Sequence, residues 1–398
     1  MDFPTTSSHF EDAIFEGNLL HEDFIELSNK INNKKDKALE FETNPVPPDK
    51  DELIRRIEDV TLKIIEDLSN DKSPVLKLRV TNWNNCNYEN DIVNMKPVPE
   101  AQIGQVCFGV ARSERKFTVI VYILSKIYRM LQSGGTCTKR EMYYQNVPLF
   151  QNQKVVDSAI RDICSILDAP SWSLGVNATS KGLIAGDLTI TTSDGKELIC
   201  SNVGGIMLPQ NVFGIQFIKS SAKFVLVIEK DATFQKLLND EAPRKLGPCI
   251  LITGKGFPDV STRVMVKRLC KDLQIPIYAL VDADPHGIEI MCTYRFGSLA
   301  MSHQSDYLAV PSIRWLGVQP SDVETLAVPM LPITVDDLSK LRTLRSRYYI
   351  QNNPELLKQI DIMVSTNCKA EIEGVDCLSN SYLTDVYLPS KIFHSDFI

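Results

Sequence analysis

The stretch PIYALVDADPHGIEIM, residues 276–291, decides how this chain is read: an unbroken apolar run, two carboxylates one residue apart, then proline and a helical pattern. Apolar residues without polar alternation mark a strand covered on both faces, as in parallel sheets. Asp282 and Asp284 fall where that strand ends. Working outward, KFVLVIEKD (223–231) and PCILITGKG (248–256) repeat the apolar run, and YLAVPSIRWLGV (307–318) reads as a further strand. ATFQKLLND (232–240), STRVMVKRLCKDL (261–273) and PHGIEIMCTYRFG (285–297) read as helices between them. Strands alternating with helices predict a mainly parallel sheet whose ligands sit outside the carboxyl ends of the strands.

A second strand also ends in a carboxylate, Glu229. Glu229, Asp282 and Asp284 together offer three hard oxygen ligands, with substrate phosphates left to complete an octahedron, which is how a Mg²⁺ site for phosphoryl transfer is built. A single Asp at a strand end is more often a helix N-cap, and Asp284 before Pro285 suits that use. Two such ends in register favour metal, with His286 given at most a supporting place. ITGKGFPD (252–259) lacks the G-x-x-x-x-G-K-[ST] order of a nucleotide-binding loop, so no ATPase is expected here. Its Gly-Lys-Gly turn could still aim Lys255 and backbone amides at a phosphate. Phe257 is either buried or an exposed wedge against DNA.

Upstream, NPVPPDK (44–50) closes an acidic, polar segment read as a flexible tail and linker over residues 1–50. The first hundred residues hold 21 acidic and 12 basic side chains, leaving 29 and 31 in the rest, so the net charge of −7 is mostly N-terminal. A local basic groove is permitted by that balance. DKDELIRRIEDVTLKIIEDLSN (49–70) predicts an amphipathic helix, with Asp49 and Glu52 as a capping box and Leu53, Ile57, Val60 and Ile64 on one face. That face packs on its own domain or docks a second protein. Residues 80–110 read as a connection.

KFTVIVYILSKIYRMLQSGG (116–135) is a strongly apolar helix stopped by Gly134 and Gly135. Thr138 and Glu141 form a capping box for a short helix through Tyr143 and Tyr144. In NQKVVDSAIRDICSILDA (152–169), Val155, Ala159, Ile160, Ile163 and Leu167 make an inward stripe and Lys154, Ser158, Arg161 and Ser165 an outer face. SWSLGVNATSKGLIAGDLTI (171–190) reads as two short strands around a polar turn. Three helices and a hairpin make a winged helix, whose third helix enters a DNA major groove. A phenol is a poor nucleophile at neutral pH unless positive charge or a metal favours the phenolate. Arg140 lies four residues before Tyr144, and Lys139 four before Tyr143, so charge alone does not choose between the tyrosines.

With 398 residues and 43% hydrophobic side chains, two or three globular domains are expected. The ten cysteines never approach closer than nine residues, which gives no zinc-site spacing and suits reduced thiols. Without a signal-peptide pattern or an apolar run of membrane length, a soluble intracellular protein with no membrane partner is expected.

TKREMYYQNVPLF (138–150), TSKGLIAG (179–186), LVIEKDATFQKLL (226–238), LITGKGFPDVSTR (251–263) and LVDADPHGIEIM (280–291), taken in order, resemble the topoisomerase VI A-subunit family. Within it they are most similar to the meiotic branch that makes the DNA double-strand breaks initiating recombination. The resemblance covers roughly residues 105–398. It implies a multi-domain α/β chain: a docking helix and connection over 51–105, a winged-helix (CAP-like) domain over 106–205 and a Toprim domain over 206–398. It also implies that Tyr144 is the nucleophile, with Arg140 as basic helper and Lys181 near the scissile phosphate, while Glu229, Asp282 and Asp284 bind Mg²⁺. Lys139, Lys154, Arg161, Lys255, Phe257 and Arg263 would join Arg140 and Lys181 in contacting DNA. The implied reaction is that of an isomerase related to ATP-hydrolysing type II topoisomerases: strand cleavage by transesterification, leaving a 5′-phosphotyrosyl link. Implied partners are double-stranded DNA, a second copy of the chain, other meiotic break-formation proteins and a topoisomerase VI B-like subunit, in the nucleus. The rival readings are a Toprim nuclease acting by hydrolysis and a non-catalytic winged-helix DNA-binding scaffold.

Overall fold

The computed structural model describes residues 47–398 apart from 202–203 and 210; the tail expected over 1–50 lies, up to residue 46, outside the described residues. Helix α1 (Lys50–Ser69) starts where Asp49 accepts a hydrogen bond from the Glu52 amide at 2.8 Å. The Glu52 carboxylate turns instead to Arg55 and Arg56. The fully buried positions of α1 lie in its first half, with Val60 and Ile64 beyond them partly buried against the same core. Leu53 and Ile57 are buried, and Arg56 donates to the Leu167 carbonyl at 2.7 Å, whereas Leu62, Ile65 and Leu68 further along are exposed.

The region read as a connection is structured. Strand β1 (Val75–Arg79) pairs antiparallel with β4 (Ile103–Cys107), and between them β2 (Cys86–Glu89) and β3 (Ile92–Met95) form a hairpin. Buried Asn85 ties this loop shut, donating to the carbonyls of Val80 and Gln102 and accepting from the Gln102 amide. Side-chain amides do here what apolar periodicity does elsewhere, which is why the pattern gave no strand signal.

Helix α2 (Ala111–Ser133) ends at Gly134, whose φ of 69° supplies the left-handed cap. A short strand β5 (Cys137–Thr138) leads into α3 (Lys139–Tyr144), and α4 (Gln153–Leu167) follows. Ile120, Ile123, Ile127, Met142, Phe150, Val156, Ile160 and Ile163 build one core among these helices. The inward stripe of α4 includes buried Val156 and Cys164, while Val155 is half-buried.

The expected hairpin over 171–190 does not form. Strand β6 (Val176–Asn177) pairs in parallel with β5, and β7 (Leu183–Gly186) joins the large sheet instead. Ile184 and Ala185 are wholly buried, as an apolar run in a covered sheet requires. The hairpin comes later, as β8 (Thr189–Thr192) with β9 (Glu197–Ile199), beside β11 (Ile215–Lys219).

Six strands make the large sheet: β10 (Ile206–Met207), β7, β13 (Cys249–Thr253), β12 (Phe224–Ile228), β14 (Ile277–Leu280) and β15 (Arg314–Gly317), in that spatial order. The last four are parallel; β7 and β10 run antiparallel to their neighbours. Of 307–318 only Arg314–Gly317 is strand; Tyr307 ends a 3₁₀ stretch and residues 308–313 are turn and irregular chain. On one face lie helices α6 (Val260–Leu273) and α7 (Pro285–Arg295); on the other lies α5 (Asp231–Asn239). Among the described residues, no helix is long and apolar enough to cross a membrane, and all ten cysteines are free.

Candidate active site

Strand order places the carboxylates. From β12 the chain steps to β13 on one side, then crosses back to β14 on the other, so the order reverses between β12 and β14. Crevices at such reversals are where α/β sheets bind ligands. Ile228 is in register with Leu280, so Glu229 emerges from β12 beside Asp282 from β14. Glu229 accepts the Asp282 amide at 2.8 Å. Burial pushes its carboxyl up to about 8, with the charges of Asp282 and Asp284 adding to the effect. Asp282 is raised as well, chiefly by burial. Its Oδ1 accepts the Ile372 amide at 2.9 Å, and its Oδ2 pairs with Lys230 Nζ at 2.9 Å. Asp284 caps α7, its Oδ1 accepting the Gly287 amide at 2.6 Å. Gly287 is required there: a Cβ would meet the Asp282 carbonyl at 2.3 Å and Glu229 Oε2 at 3.0 Å. His286 is exposed.

Among the described residues, no three His, Cys, Asp or Glu side chains are gathered as a ready metal cluster. Asp282 is instead paired with Lys230. Glu229 and Asp284 keep a donor set that suits a hard divalent cation. A buried carboxyl raised by neighbouring carboxylates is a place where added positive charge is stabilising. The N-cap reading and the ligand reading of Asp284 are compatible, because capping uses one of its two oxygens.

The Gly-Lys-Gly turn is folded inward. The Gly256 amide donates to the Glu229 carbonyl at 2.8 Å, the Lys255 amide to Thr253 Oγ1 at 3.1 Å, and Lys255 Nζ pairs with Asp231 at 3.0 Å. Two backbone amides expected to face a phosphate are thus already used. Lys181 sits against this turn, its Nζ donating to the Lys255 carbonyl at 3.0 Å and its amide to Asp259 at 2.8 Å. Phe257 stands 45% exposed with Lys340 over its ring, so the wedge reading survives and the burial reading does not. Arg263 is a correction: it is 1% exposed inside α6 and faces Ser298 and Met301, so it does not reach DNA.

On α3 the two tyrosines part company. Thr138 and Glu141 complete the capping box, fixing the start of this short helix. Tyr143 packs against the core of its domain, and its neighbour Lys139 leans to Asp157 on α4 at 3.8 Å. Tyr144 is 61% exposed, with the Arg140 guanidinium over its ring at 5.9 Å. Of the two tyrosines that sequence spacing left equivalent, Tyr144 is the one accessible to a large substrate. Lys154 is exposed and Arg161 half-buried on the outer face of α4.

Residues 224–392 match the family model for the Toprim domain of the topoisomerase 6 A subunit/Spo11, and residues 115–176 match that described as type IIB DNA topoisomerase. The chain is 42% identical to meiotic recombination protein SPO11 of Homo sapiens over 86% of this chain and 87% of that one. It is 38% identical to meiotic recombination protein W68 of Drosophila melanogaster, over 74% and 88% of the two chains. With the A3 subunit of DNA topoisomerase 6 of Oryza sativa subsp. indica it shares 38% identity over 73% and 66%.

The chain belongs to the topoisomerase 6 A-subunit/Spo11 family.

One residue at the candidate site of this family member escaped the reading of its sequence. Lys230 follows Glu229 directly, and a Glu-Lys pair at a strand end was the available signal. Its partners Glu371 and Glu373 lie more than a hundred residues downstream and gave none.

Proposed function

We propose that this chain is a topoisomerase VI A-like transesterase that makes the DNA double-strand breaks initiating meiotic recombination. The observation that carries the reading is the state of Tyr144: an exposed phenol with a guanidinium over its ring, on a capped helix, in a chain of this family. Tyr144 Oη attacks a backbone phosphorus, forming the tyrosyl O–P bond as the P–O3′ bond breaks; the phenolic proton leaves and the 3′ oxygen takes one up. The phosphoester is conserved, so cleavage needs no ATP. Arg140, its guanidinium over the Tyr144 ring, brings positive charge to where the phosphoryl oxygens develop theirs. Lys181, anchored on the turn after β13, faces the scissile phosphate region. Glu229 and Asp284, with Asp282 once it is released from Lys230, would hold Mg²⁺, which supplies charge stabilisation to the phosphoryl oxygens. Lys139, Lys154, Arg161, Lys255 and Phe257 contact the duplex.

Two copies of the chain cut the two strands, each tyrosine working with the carboxylates of the other copy. The exposed Leu62, Ile65 and Leu68 on the far half of α1 support docking of a B-like subunit, which brings any ATPase. The site of action is the nucleus, with other break-forming proteins as partners.

The test is recovery of the protein under denaturing conditions from cells making these breaks. Short DNA covalently attached to the wild type, and absent from Tyr144→Phe, is expected. A wild type free of DNA sinks the reading in favour of hydrolysis or a scaffold.

A further inference from the structure

Lys230 is the first residue after Glu229, and its backbone is fixed: it is extended at the N-cap of α5, and its carbonyl accepts the Phe234 amide at 3.0 Å. Its side chain reaches three carboxylates. Nζ lies 2.9 Å from Asp282 Oδ2, 2.9 Å from Glu373 Oε2 and 3.3 Å from Glu371 Oε2. An ammonium has three N–H donors, so these partners saturate it. Glu373 is itself held by Thr233 Oγ1 at 3.0 Å. Asp282 meanwhile keeps its other oxygen on the Ile372 amide. The segment carrying both glutamates is stitched to the end of β14 by the Ala370 amide, which donates to the Ala283 carbonyl at 3.1 Å.

We propose that Lys230 is a tethered counter-cation that shares Asp282 with the divalent ion: it holds the aspartate when no metal is bound and is displaced onto Glu371 and Glu373 when metal binds, thereby setting metal affinity. This rests on the metal role assigned to Glu229, Asp282 and Asp284. Mg²⁺ takes oxygen ligands at about 2.0–2.1 Å in near-octahedral geometry, and an ammonium held against the same carboxylate oxygen repels the ion at close range. Displacement is inexpensive in structural terms. Lys230 gives up one of three acceptors, swings on its four-carbon stem, and stays between two glutamates that no strand-end ligand needs. Without Glu371 and Glu373 the ammonium would have to enter solvent or stay on Asp282. The arrangement keeps a buried carboxylate neutralised until metal arrives.

The test is Mn²⁺ binding to the full chain without DNA, read as loss of the free-ion paramagnetic resonance signal, so that no phosphate contact of Lys230 enters. Lys230→Met is expected to bind Mn²⁺ at least about tenfold tighter, because a positive charge beside the ion is gone. Lys230→Gln, which keeps a hydrogen-bond donor, should tighten binding similarly and guards against a misfolded methionine variant. Glu371→Gln with Glu373→Gln should weaken binding several-fold in the wild-type background, and that weakening should largely vanish in Lys230→Met. Unchanged affinity in both lysine variants overturns the proposal while leaving the metal site intact. Equal weakening by the glutamine pair in both backgrounds also overturns it, as that is the mark of long-range charge alone. Wild-type binding that is absent, or indifferent to Glu229→Gln, overturns the metal reading and this proposal together.

Discussion

Tyr144 stands 61% exposed on a six-residue helix, whereas Glu229 and Asp282 are 8% and 5% exposed at the ends of strands covered on both faces. The proposed nucleophile is held by little beyond its capping box and its basic neighbour; the carboxylates are fixed by backbone amides, a lysine and the sheet itself. A group that must enter a DNA backbone has to be accessible, and exposure makes it cheap to alter without loss of fold. A group that must concentrate negative charge for a cation has to be kept from water and from solvent counter-ions, and burial does this at a cost in stability.

That contrast predicts opposite signatures. Tyr144→Phe should abolish cleavage, by on the order of a thousandfold or more, while shifting the melting temperature by less than about 1 °C, as surface changes do. Tyr143→Phe should keep cleavage. A large loss of stability in Tyr144→Phe, or loss of activity confined to Tyr143→Phe, would break the comparison at its exposed end. Glu229→Ala should lower cleavage by about a hundredfold through weaker Mg²⁺ binding, with partial recovery at raised Mg²⁺ and complete loss in chelator for the wild type. Full activity without any divalent ion would break it at the buried end.

The same division runs along α1. Changing exposed Leu62, Ile65 and Leu68 to Ser should weaken capture of a B-like subunit by about tenfold or more and leave the melting curve in place. Leu53→Ala, in the buried half, should cost about 3 kcal/mol of stability by chemical denaturation. Equal effects of both changes on folding would mean that α1 is one surface, not two.

The smallest effect concerns a carboxylate as buried as Glu229 but far from the site. Asp337 is 5% exposed; burial pushes its carboxyl up, but hydrogen bonds from Lys369 and Thr334 outweigh that and hold it at about 2. A depressed folded value contributes stability above the ordinary aspartate range and loses it as pH falls from about 4 towards 2, on the order of 2 kcal/mol in all. Urea unfolding of Asp337→Asn and wild type should therefore differ at pH 7 and converge near pH 2. A constant difference across that window would show that folding does not lower the Asp337 carboxyl.

The sheet and its carboxylates were readable because apolar runs ending in charge, such as VLVIE and ALVD, are uncommon outside strands covered on both faces. From helix spacing Tyr144 was readable only as one of two, since each tyrosine had its own cation; the family resemblance named it, and in the fold it is the more exposed of the pair. The hairpin was misplaced because LIAG looks the same whether it closes a wing or enters a sheet; its partner, β13, lies some sixty residues away. Arg263 was misjudged because a guanidinium is usually a surface group, and its burial against Ser298 and Met301 depends on a fold that residue type does not announce. Residues 80–110 hid their structure in asparagine hydrogen bonds, which leave no hydrophobic period to detect.

The central claim is that one phenol, Tyr144, becomes joined to DNA. Its most direct measurement is peptide mapping by mass spectrometry of the protein recovered with its DNA remnant and digested to a nucleotide stub. The stub is predicted on Tyr144, in the peptide that also carries Tyr143, with fragment ions placing it on the second tyrosine. A stub on Tyr143, on any other residue, or on none would contradict the account.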